Sequence, residues 1–231
     1  MFLNYVIKMK LKKVISLVFC SLSFNFGVAN ASFAVPGISN ISNGSTTSTF
    51  NRTEGWEFTV NQDINITKLG LWDRDNNGFF GSHEVGLWNS SRDLLTSVVI
   101  SSISNAEGNP TNEPSGIFRY EAVAEAITLT SGNSYIVGAV YSGSGISDSV
   151  IRQSIATTSP EITLGDAVQS SSSSSLNFPA SSISSFNDGV FGANFQYEVA
   201  ATSVPFEFRP GIGIALTLAA IGLSARKRKH F

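Results

Sequence analysis

Between residues 51 and 200 the apolar side chains recur at every second position. Trp56, Phe58 and Val60 alternate with Glu57 and Thr59, and Ile64 and Ile66 alternate with Asn65 and Thr67. A period of two places one set of side chains on one face of an extended chain, which is the mark of a half-buried strand. Further short runs rich in Val, Ile, Thr and aromatics fall at 84–88, 94–101, 117–123, 126–130, 134–141, 150–157 and 190–200, each bounded by Asn, Gly, Ser or Pro. No stretch of this region holds a 3.6-residue period for three turns; residues 121–126 come nearest and are too short. About nine or ten strands without intervening helices predict an all-β fold, an antiparallel β-sandwich of jelly-roll-like type. No internal repeat of fixed period is present.

Two segments around this body have a different composition. Residues 32–50, rich in Ser, Thr, Asn and Gly, are expected to form a flexible arm, which leaves 51–200 as the sandwich domain. Within it, 169–185 contains six consecutive serines and is expected to be a surface loop or a flexible lead into the last strand. Sequons at Asn43, Asn51 and Asn65 follow from the same composition.

The ends follow another pattern. Lys8, Lys10, Lys12 and Lys13 precede a mainly apolar run over 14–29, closed by Ala29-Asn30-Ala31. A basic start, an apolar stretch too short to span comfortably and small residues at a cleavage position predict a signal helix over 1–31, removed by signal peptidase after Ala31, with Ala34 as second choice. The single cysteine, Cys20, lies within it. The mature chain would therefore hold no disulfide and no thiolate metal site.

At the other end, an uncharged apolar segment over 211–225 is followed by Arg226, Lys227, Arg228 and Lys229. As a helix it would cover about 22 Å against a hydrocarbon core of about 30 Å, a short transmembrane helix whose basic stop stays in the cytoplasm. The order of motif, apolar helix and basic terminus over 204–231, combined with a signal peptide, resembles the PEP-CTERM sorting tail of bacterial surface proteins in its cyanobacterial variant. The resemblance implies recognition at Pro205, Glu207 and Pro210, with Phe206 and Phe208 interrupting the usual Pro-Glu-Pro. It also implies processing by an exosortase-type enzyme, and release or attachment to the cell surface or to extracellular polysaccharide. The membrane would then be a transient or an anchoring partner. Weakly, through Leu69–Asp73 and Ser82–Trp88, the body is similar to uncharacterised extracellular sandwich modules that accompany such tails.

Charge is segregated in the same way. Eight of the 15 basic residues sit in the two terminal clusters, and all 17 acidic residues lie between Glu54 and Glu207, so the intervening chain carries about −10. Such a surface repels phosphate backbones, which argues against a nucleic-acid partner.

Candidate chemistry centres on "DRDNNGFFGSHE", residues 73–84. It fits the twelve-residue calcium-loop template, with Asp73, Asp75 and Asn77 supplying side-chain oxygens, Phe79 a backbone carbonyl, Glu84 a bidentate carboxylate and Gly78 the sharp turn. The flanks, however, read as strands, where the template expects helices. Calcium binding and a plain hairpin turn built from Asp, Asn and Gly both remain open.

Enzymatic motifs are absent. His83 is the one histidine left if the tail is removed, and no nucleophile turn accompanies it. The carboxylate pairs Glu54/Glu57 and Glu121/Glu125 would serve a glycan hydrolase only at the right separation. Trp56, Trp72 and Trp88 could form a platform for a carbohydrate-binding module, although Trp56 shares a face with Phe58 and Val60 and fits a core better. The expectation is a non-enzymatic exported protein of the cell surface or extracellular matrix, with a carbohydrate-binding module as the alternative and a hydrolase behind it.

Overall fold

The computed structural model describes residues 34–42, 45–48, 51–106, 116–141, 148–152, 155–183 and 190–200. The chain divides into two units, Met1–Ala34 and Val35–Phe231, and the description concerns the second. The expected signal segment 1–31 and the tail 204–231, with Pro205, Glu207, Pro210 and the basic cluster 226–229, lie outside the described residues. Among the described residues no helix is long and apolar enough to cross a membrane.

These residues form strands and no helix. In chain order they are β1 (Val35–Pro36), β2 (Ile38–Ser42), β3 (Ser45–Ser48), β4 (Arg52–Val60), β5 (Ile64–Asp73), β6 (His83–Asn89), β7 (Leu94–Ile100) and β8 (Asn105–Ala106). Then come β9 (Ile117–Leu129), β10 (Ser134–Tyr141), β11 (Ser149–Arg152), β12 (Ile155–Thr158), β13 (Ile162–Gln169), β14 (Ser181–Ser182), β15 (Val190–Phe191) and β16 (Ala193–Val199).

One larger sheet runs β1-β16-β5-β9-β8 and the other β14-β13-β4-β10-β6-β7, with smaller sheets β15-β11-β3 and β12-β2. Each of the pairings is antiparallel.

The alternation read from the sequence sets the two faces of the six-stranded sheet. Trp56 pairs with Val137 and Phe58 with Tyr135, so all four share one face, while Glu57 and Ile136 share the other. The first face meets the five-stranded sheet through aromatic rings: Phe195 of β16 stacks on Trp56 with centroids 5.6 Å apart and lies 4.7 Å from Phe58. The Trp56 Nε1–H donates to the Ala193 carbonyl at 2.8 Å, so the indole is buried without an orphaned donor. Each such fully buried side chain contributes about 1.5–3 kcal/mol of transfer free energy, which makes this layer the main cohesive element of the fold.

Three local expectations are corrected. Residues 35–42 and 45–48 are not a loose arm: Ile38 and Ile41 are fully buried, β2 pairs with β12 and β3 with β11. The reason is Asn194. Its side chain accepts from the Ile38 N–H at 3.0 Å and donates to the Ile38 carbonyl at 3.1 Å, replacing the ladder bonds that a polar segment would otherwise find in water.

Residues 117–130 form the single strand β9, with a register shift where 123–126 pass opposite the step from Ile66 to Lys68. Strand β13, unmarked by alternation, is interrupted in the same way between Leu164 and Ala167, where Gly165 and Asp166 together stand opposite Glu57.

The serine-rich segment is, over its described part, a strap on the outer face of the six-stranded sheet. Ser170 exchanges hydrogen bonds with Thr53, its N–H donating to the Thr53 carbonyl at 2.8 Å and its Oγ accepting from the Thr53 N–H at 2.9 Å. The Asn177 N–H donates to Thr53 Oγ1 at 3.0 Å, and Leu176 and Phe178 pack on Trp88, Ile136 and Val168. The sheet makes room for it with a row of glycines: Gly138 is in register with Gly55 on one side and Gly86 on the other. A Cβ at Gly86 would meet the Trp88 ring and Leu176 at under 3 Å.

Candidate functional site

The connection between β5 and β6 is built around Asp73, the last residue of β5. Its Oδ2 accepts from the Gly78 N–H at 2.9 Å, which closes the turn, and from Arg119 Nε of the neighbouring β9 at 2.7 Å. Gly78 has φ +93°, a conformation that favours glycine, and Asn76 at φ 55° is one of the few other residues that tolerate this region. Arg119 also donates to the Ser104 carbonyl at 3.1 Å and to Asn76 Oδ1 at 3.4 Å. A guanidinium thus lies among the oxygens of the loop.

The five residues of the calcium template are not gathered into one site. Asp75 and Asn77 are exposed, and Asn77 Nδ2 donates to Asp75 Oδ2 at 2.7 Å. Glu84 stands on β6, in the other large sheet, where its Oε1 accepts from Ser97 Oγ at 2.9 Å. Phe79 contributes a buried ring that meets His83 edge-on at 5.4 Å. A calcium ion needs six to eight converging oxygens. Among the described residues no group of three or more His, Cys, Asp or Glu side chains could hold a metal. The donor set does not fit calcium, because Arg119 already neutralises Asp73 and strand geometry carries Glu84 away.

The end of the same loop is fixed by a buried pair that the sequence did not reveal. His83 Nε2 lies 2.8 Å from Asp148 Oδ2, and its Nδ1 lies 3.2 Å from the Val140 carbonyl. Both ring nitrogens thus lie within hydrogen-bonding distance of an oxygen. Asp148 Oδ2 also accepts from the Phe80 N–H at 3.0 Å. Beside this pair lies the Tyr141 ring, 5.4 Å from His83. Burial raises the Tyr141 pKa well above 10, with Glu54 and Asp148 adding to the effect, so its hydroxyl stays neutral. Among the described residues no serine or threonine hydroxyl hydrogen-bonds to the histidine, and both imidazole nitrogens are engaged, so these residues do not form a nucleophilic constellation.

The remaining candidates separate. Glu54 and Glu57 stand on opposite faces of β4, Glu54 buried and Glu57 half-buried, so they form no catalytic pair across a cleft. Trp56 and Trp72 are core residues and Trp88 lies beneath the strap, so the three make no exposed platform.

A concave site does exist on the outer face of the six-stranded sheet, between the strap and the β6–β7 turn. It encloses about 240 Å³ and is lined by Glu57, Ser90, Arg92, Ser134, Ile136 and Phe178, among others. Its residues come from β4, β10, the end of β13, the turn and the strap, which explains why no local motif announced it. Arg92 sits at φ 72°, and its guanidinium carbon lies 5.3 Å from the Phe178 ring centre.

No protein-family model matches this chain, and no curated protein matches it at a significant level.

Proposed function

We propose that this chain is a non-enzymatic exported protein whose body, an antiparallel β-sandwich of jelly-roll type, is carried to the cell surface or extracellular matrix by a PEP-CTERM-like tail. In this reading, signal peptidase removes 1–31, and an exosortase-type enzyme acts at the Pro205, Glu207, Pro210 motif. The helix over 211–225 holds the precursor in the membrane and Arg226–Lys229 remain cytoplasmic.

One observation carries the reading: both apolar end segments adjoin a cluster of four basic residues, while the chain between them carries about −10. The closed body agrees with it, since the buried apolar residues described run from Ile38 to Tyr197 and include no cysteine. Such a body keeps its cohesion in an oxidising or a reducing compartment alike.

Mass spectrometry of the protein recovered from its native cells tests the proposal at both ends. The expected species begins at Ser32 and lacks Arg226–Phe231. An intact C-terminus would replace sorting by simple anchoring, and an intact Met1 would end the export reading.

A further inference from the structure

We propose that the groove between Glu57, Arg92 and Phe178 binds one ring of a neutral glycan. The proposal is independent of how the chain is sorted. Its starting point is that the groove brings together strong hydrogen-bonding groups that no other described residue engages by hydrogen bond or ion pair. The Glu57 carboxylate makes no hydrogen bond or ion pair with another described residue, and the Arg92 guanidinium has the Phe178 ring as its one described side-chain partner. A carboxylate and a guanidinium facing one cavity without pairing offer an acceptor on one side and a planar set of donors on the other.

Size comes next. Sites for drug-sized molecules run from roughly 300 to 1,000 Å³. A groove of about 240 Å³ is smaller, and takes a single ring-sized group of a longer molecule. Ile136 gives it an apolar floor and Phe178 an apolar wall, suited to the C–H face of a ring, while Ser90 and Ser134 add hydroxyls at the rim.

The chemistry of that group follows from charge. Glu57 and Arg92 sum to zero, so the groove asks for no net charge, and the acidic body disfavours an anion. A hydroxyl is donor and acceptor at once, so neighbouring hydroxyls on one ring can donate to the carboxylate and accept from the guanidinium together. A zwitterion could match the same pair, but it must lose the hydration of two full charges in a half-open groove, which a sugar avoids.

The backbone adds an independent sign. Arg92 occupies the left-handed region, where Gly or Asn would be the unstrained choice, in a turn closed by its own N–H to the Asn89 carbonyl at 3.0 Å. Strain held at a residue lining a cavity points to use of that side chain.

The test titrates the full 231-residue chain, kept in a sugar-free zwitterionic detergent, with cellohexaose, maltohexaose, xylohexaose and mannohexaose. Calorimetry and the fluorescence of Trp88, which touches Phe178, read the binding. Glycylglycine serves as the zwitterionic comparison.

The expected result is saturable binding of at least one hexasaccharide at a micromolar-to-millimolar dissociation constant. Glu57→Gln and Arg92→Ala should each weaken it by about tenfold, the worth of one charge-assisted hydrogen bond. Melting curves of both variants, and Arg92→Lys as a charge-preserving second substitution, separate lost contact from lost fold. Failure of all four sugars to bind, binding that both variants leave unchanged, or binding of glycylglycine in their place would each overturn the proposal.

Discussion

Arg119 of β9 donates from Nε to Oδ2 of Asp73 at 2.7 Å, with the two side chains 12% and 2% exposed. A built-in cation therefore does for this loop what a metal would do in a calcium loop. Asp73→Ala is expected to cost about 3–5 kcal/mol, the usual effect of leaving one partner of a buried ion pair alone. Calcium is expected to leave the melting temperature of the parent unchanged, and equally that of a variant with alanine at both Asp73 and Asp75. A calcium-induced rise in the parent that the double variant loses would show that the oxygens of the loop do bind the ion.

The buried His83–Asp148 pair is expected to clamp the 74–82 loop to the start of β11. Asp148→Ala removes an acceptor from both His83 Nε2 and the Phe80 N–H. It should destabilise the fold by about 3 kcal/mol in denaturant titrations. His83→Ala combined with it should be less damaging than the sum, with a coupling of about 1–3 kcal/mol. Full additivity would show that the two residues act separately.

Asn194 is fully buried and fully engaged, holding Ile38 through both backbone groups and also donating to Tyr120 Oη at 3.0 Å. Asn194→Ala would remove the side-chain partner shared by the Ile38 N–H and carbonyl, at a cost of about 2–4 kcal/mol. Limited proteolysis gives a more specific reading: new cleavage should appear first in residues 35–48, before any in β4. Cleavage beginning elsewhere would contradict the role assigned to Asn194.

Stability should fall in alkali. Burial is the main cause that raises the Tyr197 pKa to about 12, with Ser159 acting against it and Glu161, which accepts from the hydroxyl at 3.0 Å, adding to it. Because the folded value lies above the unfolded value of about 10, the tyrosine's contribution is complete below pH 10 and disappears as the pH rises toward 12. Tyr141, raised in the same direction, adds to the loss. Tyr197→Phe should therefore flatten, without abolishing, the decline in melting temperature between pH 10 and 12. An unchanged slope would count against this account.

Arg92→Gly separates stability from use. The substitution relieves about 1–2 kcal/mol of left-handed backbone strain and removes about 0.5–1 kcal/mol of cation–π attraction to Phe178, so the two nearly cancel. The melting temperature should stay within about 3 °C of the parent, while glycan binding weakens by about tenfold, as with Arg92→Ala. A drop of ten degrees would identify Arg92 as a structural residue.

What could be read in the sequence was whatever repeats along a strand. The alternation through Trp56, Phe58 and Val60 gave both the strand and its buried face, and "LWD" and "HEVGLW" gave β5 and β6. What escaped depends on partners far away along the chain. Nothing near Ile38 announces that Asn194, 156 residues later, will tie it down, and nothing in six serines announces that Thr53 and a row of glycines will hold them. The calcium template misled for the same reason. A spacing rule assumes helices that turn Glu84 back, whereas Glu84 is the second residue of a strand, and Arg119 comes from 46 residues beyond Asp73. The groove was hidden because its lining comes from five separate places in the chain.

The pairing of β1 with β16 puts Val35 directly opposite Tyr197. Antiparallel partners stand about 4.5–5.5 Å apart at Cα, so the first and last strands of the body begin and end almost at the same point. A short glycine-serine bridge from Ala200 back to Ala34, with the backbone opened at the Gly132 turn, would give a circularly permuted chain in which each described strand keeps its neighbours. Recovery of the native spectrum by such a permutant would mean that the order of strands in the gene is incidental to the shape, and that the body can be inserted as a module into another protein's loop.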